Sequence, residues 1–433
     1  MKKLFIFIFL FSTYIYAQYI KEPIFNETTY VETFGNPQNE AIVFVHGLGQ
    51  EASSIWEQSV EVLKKEYFIM IFDLPGFGKS DKSNQLYSPK KYANFINTLV
   101  DNFVDKPFHL VGHSMGASIA LKYASLYEER VKSLTLIDAA AILNKIAYSE
   151  FLLKHKTKGI VKNEKISDFI SNLPQTLENV LPLDLDMILS TKISRKIFLR
   201  SKSNTIAAMA LVQEDFSEIP RKLQIPTLII WGGKDTIAPL RTGYVLNKLI
   251  ANSKLEIIPN ANHTPIISAP TKYLELLKKH LKEKNYIKTK KVYALLGKTT
   301  KIENGKDEIL SGYFNNLEIV NSKNIKIVDA KIEHLAIYNS EVKIINSELN
   351  LKTRNIIKKS TLTMSASDLK ILNTIDVYDS KIDLAGVDIK SEVPLFKNIN
   401  EGENQDIIFS LCTINGRNEH GIKSISEKQV LNK

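Results

Sequence analysis

Ser114, Asp235 and His263 are the residues of this chain whose types and surroundings could do chemistry together. Ser114 lies in Val111-Gly112-His113-Ser114-Met115-Gly116. Before it, Phe108-His109-Leu110-Val111 reads as a short buried strand; after it, residues 117–124 carry apolar side chains at helical spacing. The serine therefore falls on a strand–turn–helix junction, where Gly112 and Gly116 let strand and helix approach closely. A helix N-terminus also favours negative charge developing beside it. A serine hydroxyl is a weak nucleophile until a base stands within hydrogen-bond reach, and the base in turn needs an orienting acid. His263 is the best-placed base: it follows a strand at 255–258 through Pro259-Asn260-Ala261-Asn262 and precedes Thr264-Pro265. Asp235 is the best-placed acid, following a strand at 227–231 through Gly232-Gly233-Lys234. Asp138, which also ends a strand, is the alternative acid.

The elements that must position these residues can be read in chain order. Residues 41–45 form a continuous apolar run, the mark of a strand covered on both faces, and lead into His46-Gly47-Leu48-Gly49. A helix is expected at 55–66 and a buried strand at 67–72, ending in the loop Asp73-Leu74-Pro75-Gly76-Phe77-Gly78-Lys79-Ser80. A helix at 89–104, the strand before Ser114 and a strand at 131–137 follow; residues 30–34 read as an early edge strand. Strands alternating with helices predict a mostly parallel sheet with helices on both faces. Residues 138–216 then hold helical stretches (142–156, 166–173 and 206–216) without a strand, before the sheet resumes at 227–231. An all-helical insertion at that point reads as a cap over the strand ends, where ligands bind in open α/β sheets.

Taken together, these segments resemble the α/β-hydrolase superfamily, in its serine esterase and lipase branch, over about residues 28–284. The resemblance is carried by Gly-His-Ser-Met-Gly, by His46-Gly47-Leu48-Gly49 with Trp56 ten residues after His46, by the 73–80 loop, by Gly232-Gly233-Lys234-Asp235 with Pro239, and by Asn262-His263-Thr264-Pro265. It implies an α/β fold, a catalytic triad in the order Ser114, Asp235, His263, and an oxyanion hole formed by the backbone N–H groups of Leu48 and Met115. Asn262 stands where the family usually has glycine and Ser268 where an acidic residue is common. A serine rather than an aspartate at the elbow disfavours dehalogenases and epoxide hydrolases, leaving carboxylesterases, lipases, thioesterases, peptidases and carbon–carbon bond hydrolases. The apolar cap stretches 151–153, 187–189 and 206–211 suit an acyl or alkyl group, so hydrolysis of a carboxylic ester is the expected reaction.

The other histidines carry different expectations. His46 and His113 read as shaping their loops, His109 as packed in a strand, and His155, His280, His334 and His420 as exposed. Asp73 reads as holding its own loop. No cluster shows metal-ligand spacing, and neither a metal nor an organic cofactor is expected. The single cysteine, Cys412, permits no internal disulfide and reads as a small buried hydrophobe.

The chain has 433 residues and a net charge of +10, mostly from dispersed lysines. Without arginine clusters or interleaved aromatics, that excess argues against nucleic acid and leaves an anionic envelope glycan as the charged partner to consider. A cationic Met1-Lys2-Lys3, an apolar run from 4 to 11 and its continuation to Ala17 read as a signal peptide over 1–17, cut after Ala17, with periplasmic or secreted destination; an uncleaved inner-membrane anchor is the alternative. The hydrolase domain is expected at 18–285 and a lysine-rich linker at 286–310.

In the β-rich domain expected at 311–433, short alternating runs repeat from 317 to 389. Ser322, Ser340, Ser360 and Ser380 recur at separations of 18, 20 and 20, and Ala330, Ser347, Ser367 and Gly386 at 17, 20 and 19. Two interleaved series of one period predict coils of a short parallel β-helix, with a small β-sandwich as the alternative. This region is expected to be a separate module for binding or anchoring, so that the chain up to about Asn285 would fold without it. A surface-binding protein with the solenoid as its functional part is the rival to an enzyme.

Overall fold

The computed structural model describes residues 16–156, 184–283, 285–288, 291–399 and 405–425. Most of the expected signal peptide and the helix expected at 166–173 lie outside the described residues. Strands β1 (Tyr16–Lys21), β2 (Thr28–Phe34), β3 (Ala41–Val45), β4 (Phe68–Phe72), β5 (Phe108–His113), β6 (Val131–Ile137), β7 (Thr227–Gly232) and β8 (Ser253–Ile258) form one sheet in the order β1-β2-β4-β3-β5-β6-β7-β8. From β4 to β8 all neighbours are parallel, while β1 and β2 add antiparallel at the edge.

Helices α1 (Glu57–Leu63), α2 (Pro89–Val100) and α3 (Met115–Leu126) alternate with the first strands. The cap follows β6 with α4 (Lys145–Lys156), α5 (Leu185–Ser190), α6 (Lys192–Leu199) and α7 (Ser203–Gln213); α8 (Ile219–Lys222) precedes β7, and α9 (Leu240–Leu249), α10 (Pro265–Ser268) and α11 (Pro270–Lys282) complete the domain. Strand side chains alternate between the sheet's two faces. Val43, Val45 and Leu110 pack with α2, α3 and the cap, whereas Ile42, Phe44 and Val111 pack with α1 and α11. Burial on both faces is why β3, β4 and β5 read as unbroken apolar runs.

The C-terminal region is all-β and mostly parallel. Strands β9 (Lys298–Glu303), β10 (Ile309–Val320), β11 (Ile325–Ile332), β12 (Leu335–Tyr338), β13 (Glu341–Ile345), β14 (Glu348–Leu351), β15 (Asn355–Lys358), β16 (Thr361–Ser365), β17 (Asp368–Ile371), β18 (Ile375–Tyr378), β19 (Lys381–Ala385), β20 (Asp388–Ser391) and β21 (Phe396–Asn398) lead to β22 (Gln405–Ile414) and β23 (Arg417–Ile425). They stack as parallel ladders β11-β13-β16-β19-β22, β11-β14-β17-β20-β22 and β9-β10-β12-β15-β18-β21, a β-helix-like arrangement with three faces. Among the described residues, β23 alone pairs antiparallel with the stack. β9 and the start of β10 lie inside the stretch read as linker; β9 has one apolar residue in Lys-Thr-Thr-Lys-Ile-Glu, too few to show an alternation.

The serine periodicity has a backbone cause. The N–H groups of Ser322, Ser340 and Ser360 donate to the hydroxyls of Ser340, Ser360 and Ser380 one coil on, at 2.9, 3.1 and 3.1 Å. Those of Ala330 and Ser347 donate likewise to Ser347 and Ser367, both at 3.1 Å. Each hydroxyl thus satisfies a buried turn donor that the strands cannot reach. The residues just before these positions (Asn321, Asn339, Lys359 and Asp379; Asp329, Asn346 and Ala366) are left-handed, and Gly386 at φ 58 belongs with them. The second series therefore ends at Val387, one residue later than its sequence reading.

The two parts pack against one another. Ala385, Ile408 and Leu411 of the stack belong to the same apolar cluster as the hydrolase core. Arg241 of α9 grips both oxygens of Asp383, with the second contact at 2.9 Å. Lys248 meets Asp368 at 2.9 Å and Asp388 at 3.1 Å, and Arg221 meets Asp388 at 2.7 Å. The tail thus packs on the hydrolase domain through an apolar cluster ringed by ion pairs. Single apolar residues in short strands could not show from sequence which would leave the solenoid's own core.

Candidate active site

The strand ends of β3, β5, β6, β7 and β8 deliver His46-Gly47-Leu48, Ser114, Asp138, Asp235 and His263 to one edge of the sheet. Ser114 itself holds φ 55 and ψ −119, a backbone that residues other than glycine rarely adopt. Its neighbours explain how it is held there. A Cβ on Gly112 would overlap the carbonyl of Gly116, and one on Gly116 would overlap the carbonyls of Val45 and His46. The Ser114 N–H is tied to the Ile137 carbonyl of β6 at 2.9 Å.

His263 Nε2 lies 2.8 Å from Ser114 Oγ, and His263 Nδ1 lies 2.8 Å from Asp235 Oδ2. All three residues are buried. The other Asp235 oxygen accepts from the backbone N–H groups of Ile237 and Ala238, at 2.7 and 3.0 Å. The carboxylate is thus fixed by its own turn before it meets the imidazole. The two residues that depart from the family pattern pair with one another: the Asn262 N–H donates to Ser268 Oγ at 3.3 Å, and Asn262 Oδ1 accepts from the Thr264 N–H at 2.9 Å. The pair braces the loop immediately around His263.

Asp138, the alternative acid, is brought to the cluster but not to the ring. Asp138, Asp235 and His263 present atoms within 4.8 Å of one another. Asp138 Oδ1 accepts from the Gly232 N–H at 2.9 Å, and its carboxyl lies beside that of Asp235. Burial, then the adjacent Asp235 carboxylate, holds the Asp138 carboxyl well above the usual carboxylate range. Both nitrogens of His263 are engaged, on Asp235 and on Ser114, so the cluster is a hydrogen-bond chain with Asp138 beside it.

The remaining predicted positions take supporting places. Gly47 packs on the serine, since a Cβ there would stand 2.8 Å from Ser114 Cβ. That packing brings Leu48 to the pocket above Ser114, and Met115 follows the serine as the first residue of α3. N–H groups in a helix's first turn have no intrahelical partner. His46 Nε2 accepts from the Leu74 N–H at 2.9 Å. Asp73 Oδ1 accepts from the Ser53 N–H at 2.9 Å and Oδ2 from the Lys79 N–H at 2.7 Å, holding the 73–80 loop. His109 is packed in β5 against Ser133, at 2.7 Å.

His113, read from sequence as shaping its loop, does so here, while His280 and the pocket lining are not assigned from sequence. His113 Nε2 bonds the His263 carbonyl at 2.8 Å, tying the histidine loop to the elbow. Burial, then the nearby His263, pushes the His113 pKa down to about 3, so its ring is neutral. His280, expected exposed, is fully buried; it bonds the Leu134 carbonyl at 3.0 Å and the Tyr286 hydroxyl at 2.7 Å. Its helical spacing from Tyr273 and Leu277 on the buried face of α11 is the signal that could have shown this. The pocket over Ser114 is lined by Leu48, Ala140, Tyr148, Ala208, Leu211, Val212 and Ile237. Apart from Ser114 and the tyrosine, every residue lining it is aliphatic.

Comparison with known proteins agrees with the geometry. The chain is 27% identical over 259 residues to a pimeloyl-[acyl-carrier protein] methyl ester esterase of Wigglesworthia glossinidia brevipalpis, covering 56% of this chain and 94% of that protein. It is 28% identical over 267 residues to monoacylglycerol lipase abhd6-B of Xenopus laevis, covering 56% and 76%. Among solved structures, an esterase from Exiguobacterium antarcticum aligns with a TM-score of 0.48 at 24% identity, covering 62% of this chain and all of that one. The family model described as alpha/beta hydrolase fold matches residues 40–270, the span that carries the elbow, the acid turn and the histidine loop. The chain belongs to the alpha/beta hydrolase fold family, and it is a hydrolase.

Proposed function

We propose that this enzyme cleaves a carboxylic ester through an acyl-enzyme intermediate, with Ser114 as nucleophile, His263 as general base and acid, and Asp235 as the orienting acid. The observation that carries this reading is the unbroken chain of two 2.8 Å hydrogen bonds from Asp235 through His263 to Ser114. Ser114 Oγ attacks the ester carbonyl carbon as His263 Nε2 takes its proton. The tetrahedral intermediate collapses as the proton passes to the departing alcohol oxygen, leaving the acyl group on Ser114. Water, deprotonated by the same nitrogen, attacks that acyl group and releases the acid and free serine. The backbone N–H groups of Leu48 and Met115 are assigned to the oxyanion; one such donor is worth roughly 3–4 kcal/mol in comparable sites. The apolar pocket lining supports an acyl or alkyl substituent over a charged one.

The test is a series of p-nitrophenyl esters of increasing acyl length, read for pre-steady-state burst and turnover. A burst stoichiometric with enzyme supports the acyl-enzyme. Absence of turnover on the whole series, with a fluorophosphonate probe failing to label Ser114, rejects it. We further propose export with removal of residues 1–17, supported by the cationic start and the apolar run after it. Such a cut would leave Gln18 to Lys21 of β1 to pair with β2.

A further inference from the structure

The C-terminal stack meets the segment that starts the cap beside one irregularity in β22. Phe409 pairs with Gly421 and Cys412 with Glu419, so Ser410 and Leu411 together oppose His420 alone. This is a β-bulge, a device that re-aims side chains. Leu411 sits at φ 53, a conformation a branched residue holds only when its surroundings over-determine it. The consequence is a division of side chains. Ile407, Phe409 and Cys412 stay in the stack's own core, while Ile408 and Leu411 enter the hydrolase core.

Between them, the fully buried Ser410 accepts a hydrogen bond from the Asn144 backbone N–H at 3.0 Å. Asn144 is where the cap begins. Its side-chain oxygen accepts from the Ile146 N–H at 3.0 Å and its carbonyl from the Tyr148 N–H at 3.0 Å, starting α4. Tyr148, on the first turn of that helix, lines the pocket over Ser114. The other end of the same segment is held at the elbow: the Ala140 N–H donates to the Ser114 carbonyl at 3.3 Å, and Ser118 Oγ donates to the Ala140 carbonyl at 2.5 Å. Residues 140–144 thus run from the nucleophile's turn to a residue of the other domain. The bulge is secured on both sides, since Arg221 donates to the Leu411 carbonyl at 3.1 Å and the Leu411 N–H donates to His420 Nδ1 at 3.2 Å.

We propose that Ser410 is a positioning residue for the acyl pocket. The C-terminal domain sets where α4 begins, hence where Tyr148 stands, hence the length of acyl chain the pocket accepts. This rests on the ester-hydrolase reading of the same site. A small displacement of a positioned side chain is enough to change how a substrate is oriented against the nucleophile.

The test compares full-length Ser410→Ala with wild type. Alanine leaves the Asn144 donor buried without a partner. Two readouts are taken: kcat and KM on p-nitrophenyl esters from acetyl to octanoyl, and amide hydrogen exchange along residues 140–152. The expected result is a change of at least about fivefold in the octanoyl-to-acetyl ratio of kcat/KM, carried by KM, with faster exchange confined to the start of α4; a gap of one methylene in an apolar pocket is commonly worth about tenfold or more. Ser410→Cys, which keeps a weak acceptor, should fall between the two, and it serves if the alanine variant does not fold. An unchanged chain-length profile and unchanged exchange at 144–148, accompanied only by lower thermal stability, would overturn the proposal. If wild type turns over none of the esters, the function assigned above is what fails, and the exchange pattern alone decides whether Ser410 holds the cap.

Discussion

Asp138 and Asp235 end neighbouring parallel strands and lie side by side beneath His263, yet only Asp235 touches the imidazole, at 2.8 Å. The difference comes from their turns. Asp235 is aimed by two backbone N–H groups of its own loop, while Asp138 is spent on the Gly232 N–H. Asp235→Asn should therefore lower kcat by about four orders of magnitude, because the amide favours the wrong imidazole tautomer. Asp138→Asn should cost less than tenfold, since its carbonyl can still accept from Gly232 and its amide can donate toward Asp235. Equal losses in a kinetic comparison of the two variants would reject the assignment.

The same pair makes a stability prediction. A carboxyl whose pKa is raised on folding binds its proton more tightly in the native state. Its contribution is intact below the unfolded value near 4 and is lost as pH rises from there toward the folded value. Asp138→Asn, which cannot ionise, should equal or exceed wild type in urea midpoint at pH 7 and lose that advantage near pH 4. A variant destabilised at pH 7 by more than at pH 4 would contradict a protonated Asp138.

Acid should nonetheless unfold the protein through its histidines. Burial lowers His109 to about 4 and both His113 and His280 to about 3. A depressed histidine contributes stability that is present above the unfolded value of about 6.5 and lost as pH falls toward the folded one, at about 1.4 kcal/mol per pH unit for each. Between pH 6 and pH 4 these three should weaken the fold steeply. His280→Gln should reduce the slope of unfolding free energy against pH by about a third of that sum; an unchanged slope would show that His280 does not stay neutral.

Ser114→Ala should remove about four to six orders of magnitude from ester turnover without changing the unfolding free energy by more than about 1 kcal/mol. Gly47→Ala tests the neighbouring loop, because the added carbon would meet Ser114 Cβ at 2.8 Å and push Leu48 from the pocket. A loss of about a hundredfold or more in kcat is expected, the scale of one oxyanion donor. Retention of wild-type kcat would dissociate this loop from the oxyanion.

Truncation after Asn285 would uncover the hydrolase surface that now covers Ala385, Ile408 and Leu411 and leave Arg241 without Asp383. The shortened chain should be less stable by several kcal/mol, given about 1.5–3 kcal/mol per fully buried aliphatic side chain. A truncated protein with the wild-type urea midpoint would restore the reading of two independent modules.

Much of this protein is legible in its residues alone. Ser114, Asp235 and His263 each follow a recognisable strand, so the sheet's parallel order predicts that their loops meet at one edge. The serine periods of 17 to 20 residues likewise predict stacked coils, because a buried turn donor must find an acceptor in every coil. What the tertiary structure decided depends on contacts between distant segments, which no local pattern encodes. Asp138 and Asp235 look alike as strand-end acids until the Gly232 N–H takes one of them. Asn262 and Ser268 look like separate departures until they are seen bonded to each other. Ser410 and Leu411 read as ordinary positions in an alternating strand. A bulge of one extra residue turns Leu411 to the side that Ile408 and Ser410 already face, and there it packs against the hydrolase core.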